Sequence, residues 1–167
     1  MLKILPKKYT SGYTIIEIIV SISILIIIFT LAQAGYRQFI LNRSLDSVRE
    51  GVISELKLAQ EYAISGRVPL NCDNIAGIVF TSHYDVDPDL NTIVILADCD
   101  IDQPIKTVRL STYARNVRFG APFSAIVFRP LGTGTNITPG STRTISLYQI
   151  TTGTTKNILV SSGGEIR

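Results

Sequence analysis

The chain has 167 residues, with 16 Lys and Arg against 13 Asp and Glu and a formal net charge of +3. A chain of this length can bury one core, and little remains for a second domain once an apolar segment is set aside. Lys3, Lys7 and Lys8 supply the whole excess of positive charge. The neutral remainder argues against a strongly basic nucleic-acid binder, and a basic start before an apolar run favours a cytoplasmic N-terminus.

Residues 13–34 form an apolar segment whose only charge is Glu17. As a helix, this segment is long enough to cross about 30 Å of hydrocarbon. Its many isoleucines give only moderate helix propensity, but in lipid the backbone must hydrogen-bond within itself, and a helix does so within one segment. We therefore predict a transmembrane helix over residues 13–34.

Apolar residues continue beyond this segment at steps of three or four, at Leu41, Leu45, Val48, Val52, Leu56, Ala59 and Ala63. The spacing predicts an amphipathic continuation of the helix over residues 35–66, whose apolar stripe packs on a head domain. The charged residues between these positions are expected to face water: Asp46, Arg49, Glu50, Glu55, Lys57 and Glu61. Gly66 and Pro69 are expected to end the helix.

After Pro69 the chain consists of short β-branched runs separated by turn residues. They predict seven strands, at residues 75–80, 92–97, 105–110, 117–119, 125–128, 143–149 and 157–160. No helical pattern separates them, so consecutive strands can pair as hairpins. We predict an α+β fold in which a mostly antiparallel sheet or small β-sandwich, within a head of residues 67–167, packs against the long helix. Residues 132–140, rich in Gly, Thr and Pro, predict exposed loops.

The start of the apolar segment carries a motif. Residues 11–20 read Ser-Gly-Tyr-Thr-Ile-Ile-Glu-Ile-Ile-Val after a short basic leader. This resembles the cleavage and methylation signature of type IV prepilins, usually Gly, Phe and then Thr-Leu-Ile-Glu-Leu-Leu-Val. Tyr13 replaces the commoner Phe, and Ser11 stands where a basic residue often precedes the Gly. The resemblance implies a leader of residues 1–12 that prepilin peptidase removes between Gly12 and Tyr13, N-methylation of Tyr13, and packing of the helix against other pilins or pseudopilins.

Glu17 is the informative residue of the motif, because a carboxylate in apolar surroundings costs about 2.5 to 3.5 kcal/mol on insertion scales unless something offsets it. The resemblance implies that its partner is the free terminal amine of a neighbouring subunit. Such pairing would fix the axial stagger of the packed helices, since only one register brings the charges together. The alternative is a carboxylate that reaches the aqueous edge of the membrane.

The C-terminal part resembles the H-type pseudopilin and FimT-like branch of the same family. It has a Phe-x-Pro-x-Gly element at residues 128–132, paired strands, and a Gly-containing end at residues 163–167. The resemblance implies a minor pilin or pseudopilin of a type IV pilus or a type II secretion pseudopilus. Such a protein is anchored once in the cytoplasmic membrane, in contact with lipid before assembly, and its head is periplasmic or extracellular.

An alternative function is a DNA- or surface-binding tip pilin. Some FimT-like proteins implicated in DNA uptake carry a Gly-Arg-x-Arg tail, and Glu165 stands here where the first Arg would be. DNA binding would then depend on arginines that could cluster on the head, and phosphate contacts would make it salt-dependent. These are Arg109, Arg115, Arg118, Arg129, Arg143 and Arg167.

A second alternative concerns Ala32-Gln33-Ala34, which fits the A-x-A end of a secretory signal peptide. Cleavage there would release a soluble periplasmic domain that begins at Gly35. Against this reading, Glu17 would lie within the apolar half of the signal, and the apolar run exceeds the usual length of about 7 to 15 residues.

Cys72 and Cys99 both lie beyond the apolar segment, in an oxidising compartment if the N-terminus is cytoplasmic. A disulfide between them would stabilise the head by about 3 to 4 kcal/mol in the chain-entropy model. The alternative is two free buried thiols.

No metal site, cofactor or enzymatic activity is predicted. Two acidic runs lack the bidentate Glu or the Gly of a recognised Ca²⁺ loop: Asp85, Asp87 and Asp89, and Asp98, Asp100 and Asp102. His83 with the two cysteines gives only three zinc ligands at unsuitable spacings. The single His and the lack of a G-x-S-x-G elbow argue against a hydrolase.

Overall fold

The structure is a computed structural model that describes residues 12–67, 69, 72 and 75–167. Helix α1 spans Ile15–Ser65. Within the described residues, seven strands follow: β1 (Gly77–His83), β2 (Thr92–Asp98), β3 (Gln103–Arg109), β4 (Val117–Phe119), β5 (Ile126–Phe128), β6 (Thr142–Gln149) and β7 (Thr155–Ser161). The predicted α+β fold and all seven predicted strands are confirmed, with small shifts at the strand ends.

Helix α1 begins and ends at residues suited to those positions. The Oγ1 of Thr14 accepts a hydrogen bond from the Glu17 N–H at 3.3 Å, which caps the first turn. After Ser65 the chain enters the left-handed conformation at Gly66, whose φ is 63°. Glycine has no Cβ to oppose this conformation, so the predicted end of the helix at Gly66 is confirmed.

The chain divides into two compact units, one up to Phe39 and the other Ile40–Arg167. In the first, an 18-residue window of α1 has a mean hydropathy of 2.8 and none of it is buried. The hydroxyls of Ser21, Ser23 and Thr30 donate to main-chain carbonyls three or four residues earlier, at 2.7–2.8 Å. This part of the helix is long and apolar enough to span a membrane, and these three hydroxyls need no water to be satisfied.

The strands of the second unit form two antiparallel sheets, with the orders β3-β2-β1-β5 and β4-β6-β7. The expectation that consecutive strands pair is correct for β1–β2, β2–β3 and β6–β7, and wrong for the others. β5 returns to lie beside β1, and β4 lies beside β6. Because β4 and β5 have only three residues each, pairing them with each other would give little stability, and each pairs with a longer strand instead.

The segment after β5 joins the two sheets. Thr135 forms a bridge to the end of β5 and donates its N–H to the carbonyl of Ser162, just beyond β7, at 2.9 Å. Thr135 and Ile137 are buried, so the prediction of exposed loops over residues 132–140 is wrong at these two positions. A Cβ on Gly134, whose φ is 98°, would lie 2.7 Å from the Ser162 oxygen, so this close approach requires glycine.

The apolar stripe of α1 packs in one core with residues of both sheets. Six of its seven predicted positions are buried: Leu45, Val48, Val52, Leu56, Ala59 and Ala63. Leu41, where the stripe starts, is half-buried. The largest fully buried side chains of the sheets include Phe80, Phe119 and Phe128.

Glu55 corrects the prediction that the charged residues of the helix face water, because it is only 6% exposed. Its Oε1 accepts hydrogen bonds from Lys106 Nζ at 2.7 Å and from the Tyr113 hydroxyl at 2.9 Å, and its Oε2 accepts from Lys106 Nζ at 2.8 Å. Burial of a carboxylate is tolerated when it is paired in this way. Burial, the hydrogen bond and the negative charge of Glu55, in that order, raise the pKa of Tyr113 to about 12.

Candidate functional site: the first turn of the N-terminal helix

The first turn of α1 follows the bond at which the sequence predicts cleavage. Gly12, Tyr13 and Thr14 are exposed and precede the helix, and Tyr13 is 80% exposed. Ser11 and the basic leader lie outside the described residues. The bond between Gly12 and Tyr13 is therefore in non-helical, accessible backbone, as a peptidase requires.

Glu17 is the third residue of α1 and lies in its first turn. The main-chain N–H groups of this turn carry partial positive charge, so a carboxylate here is favourable by about 0.3 to 1 kcal/mol. None of the four ion pairs among the described residues includes Glu17. The carboxylate is exposed and is therefore available to a cation from another molecule.

No protein-family model, curated protein or solved structure matches the chain. A function is therefore indicated by the residues of the first turn, by the apolar helix that follows them and by the contacts within the head.

Two of the six arginines considered for DNA binding are engaged within the head. Arg118 lies 5.3 Å from the centre of the Tyr148 ring and donates to the Val86 carbonyl at 3.0 Å. Arg167 donates two hydrogen bonds to the Glu165 carboxylate, at 2.9 and 3.1 Å. DNA binding stays a prediction. Because Arg118 and Arg167 already have partners, fewer guanidinium groups are available to phosphates than the sequence suggests.

The first acidic run uses two of its carboxylates locally. The Asp85 carboxylate accepts the Asp87 N–H at 2.9 Å, and the Asp87 carboxylate accepts the Asp89 N–H at 3.0 Å. Across the described ranges, no group of three or more His, Cys, Asp or Glu could hold a metal ion.

Cys72 and Cys99 form a disulfide, and their Cα atoms are 5.5 Å apart. The predicted pairing is confirmed, and the alternative of two free thiols is wrong. Cys99 directly follows β2, so the bond ties the segment after α1 to the end of this strand.

Replacing both cysteines by Ser is expected to lower the free energy of unfolding by about 3 to 4 kcal/mol, since the bond closes a loop over a sequence separation of 27. Denaturant unfolding of the full chain in detergent measures this loss. Reductant should destabilise the wild type by a similar amount and leave the double variant unchanged. Equal stability of the two proteins without reductant would contradict the prediction.

A cleft that the sequence does not predict lies where Thr135 joins the two sheets, a place called the seam below. It encloses about 440 Å³, and its lining includes Arg129, Gly134, Ile137, Ser162 and Gly163. The available signal was weak: an arginine at the end of a strand, followed closely by several glycines. Nothing in the local pattern indicates that Ser162 and Gly163 return to the same place.

Proposed function

We propose that this chain is a minor pilin or pseudopilin, a subunit that assembles into a type IV pilus or a type II secretion pseudopilus. One observation carries the proposal: the prepilin-like segment, with its exposed Gly12–Tyr13 bond, leads directly into a helix long and apolar enough to cross a membrane. An accessible cleavage bond followed by an unburied apolar helix fits a subunit that is first anchored in the membrane and then packs its helix against those of other subunits.

The resemblance of this segment to prepilins implies the sequence of events. Prepilin peptidase cuts after Gly12 at the cytoplasmic face and releases the amine of Tyr13, which is then methylated. The helix leaves the lipid by exchanging lipid contacts for contacts with other apolar helices. In that setting Glu17 needs a cation, and the terminal amine of a neighbouring chain supplies one in a single axial register.

The decisive measurement is the intact mass and the N-terminal residue of the protein purified from membranes of cells that supply prepilin peptidase. A chain that begins with methylated Tyr13 supports the proposal. A chain that begins at Gly35 would contradict it, because cleavage after Ala34 makes the remainder a secreted soluble domain.

Gly12→Val is expected to block this processing. A Cβ at Gly12 meets nothing within 4 Å, so the substitution leaves the packing of the chain unchanged and acts only on the peptidase, where a residue without a side chain is expected. Mass spectrometry of the membrane fraction should find the uncut precursor.

Gly35→Val is the matched control, since a Cβ at Gly35 also meets nothing within 4 Å. This variant should be cut after Gly12 as the wild type is. Normal maturation of Gly12→Val would count against the assignment to the pilin family.

A further inference from the structure

The cleft beside the seam has the chemistry of a carboxylate site. Arg129 follows β5 directly and is exposed, and its guanidinium has no hydrogen-bond or ion-pair partner within the described part of the chain. None of the residues lining the cleft is acidic, and Ile137 and Pro139 add apolar surface. The cleft therefore suits an acidic group flanked by an apolar side chain.

Leu131, two residues beyond Arg129 in the chain, is a second exposed side chain after β5. Its side chain is 84% exposed, and its φ of 57° places a bulky residue in the left-handed region, which such residues rarely adopt. An exposed leucine held in a strained conformation indicates a contact surface, because neither the exposure nor the strain stabilises the isolated head.

The complementary feature is the tip of the β2–β3 hairpin, Asp100-Ile101-Asp102. Ile101 is 75% exposed, and the two aspartates flanking it have no partner in the portion that the structure describes. The disulfide at Cys99 anchors the base of this tip, which lowers the entropy lost when the tip is bound. The loop of Asp85 and Asp87 is less suitable, because its carboxylates already accept main-chain hydrogen bonds.

Strand register places the tip and the cleft at one end of the four-stranded sheet. Ala97 of β2 and Phe128 of β5 both pair with Ile78 of β1, so the chain leaves β2 and β5 on the same side. The tip then leads to the edge strand β3, whereas Arg129 leaves the opposite edge strand, β5. The tip and the cleft thus lie at opposite edges of the sheet but at the same end of it. Two heads that lie side by side and point the same way can therefore bring the tip of one against the cleft of the other.

We propose that the Asp100–Asp102 tip of one copy binds the Arg129 cleft of a second copy. The contact is heterologous, so each copy offers a tip to one neighbour and a cleft to the other, and the association can continue into an open row or helix. Chains anchored in one membrane point the same way, which this contact requires; in that respect the inference rests on the proposed function.

Charge exchange tests the contact with the full mature chain in detergent, using energy transfer between differently labelled copies. Two variants are made: the cleft variant Arg129→Glu, and the tip variant that combines Asp100→Arg with Asp102→Arg. Each variant by itself should weaken self-association at least about tenfold, because like charges then meet in the cleft. Mixing the two variants should restore the wild-type affinity within about threefold, because every tip then finds a cleft of opposite charge. The apolar helix is the same in all samples, so any association through the helix contributes equally to each and does not affect the comparison between variants.

The controls are Arg115→Glu and Asp89→Arg, which reverse charges at other exposed positions and should associate as the wild type does. The inference is overturned if the wild type does not self-associate, if the cleft and tip variants associate normally, or if their mixture stays dissociated. An acidic peptide or DNA that binds Arg129 while the mixture stays dissociated would identify a different occupant. The N-terminal residue is measured separately, so a failure here leaves the proposed processing intact.

Discussion

Glu17→Ala is expected to leave the precursor inserted and cut between Gly12 and Tyr13 but, if the chain is the pilin subunit we propose, to keep the mature protein out of the filament. In the proposed function, cleavage requires accessible backbone before the helix, whereas the axial stagger of the helices requires the carboxylate in its first turn. Without the charge, neighbouring helices can slide past one another at little cost in free energy. The expected result is mature protein in the membrane fraction, with at least about a tenfold loss from sheared filaments, measured by immunoblot of both fractions.

A simpler role for Glu17 would be to start the helix, since the N–H of Glu17 donates to Thr14 Oγ1. Thr14→Ala separates the two roles, because it removes the cap, at about 1 kcal/mol, and keeps the carboxylate. Thr14→Ala should enter filaments nearly as well as the wild type, and Glu17→Gln should fail as Glu17→Ala does. Normal incorporation of Glu17→Gln would show that the charge does not set the register.

Most of the fold follows from periodicity in the sequence. Steps of three and four from Leu45 to Ala63 place one face of α1 in the core, and the β-branched runs place every strand. These signals are local, since each residue is judged against neighbours a few positions away. The same holds for the motif at Gly12, Tyr13 and Glu17.

The features that could not be predicted depend on residues far apart in the chain. Glu55 falls between apolar positions as a solvent-facing charge would, and only the approach of Lys106 and Tyr113 makes its burial tolerable. Likewise, Thr135 joins the sheets because its N–H reaches Ser162. In each case the residue that makes the contact lies far away in the chain, and nothing in the local sequence identifies it.

Glu55→Ala is expected to lower the free energy of unfolding by about 2 to 3 kcal/mol. Breaking a fully buried ion pair costs about 3 to 5 kcal/mol, but the Lys106 side chain is 41% exposed and can be hydrated once its partner is gone. The variant loses three hydrogen bonds that tie α1 to β3 and to Tyr113. Denaturant unfolding gives the value, and Glu50→Ala is the control, because the Glu50 side chain is 70% exposed.

Alkaline pH tests the same cluster through Tyr113, whose pKa is raised from 10.0 to about 12 in the folded chain. The folded state therefore holds the phenolic proton more tightly than the unfolded chain does. This contribution to stability is fully present below pH 10 and is lost as the pH rises through about 12. Tyr113→Phe should unfold with a weaker pH dependence across this window, and so should Glu55→Ala, since Glu55 supplies part of the shift. An unchanged pH dependence in both variants would show that the Tyr113 proton is not held by this contact.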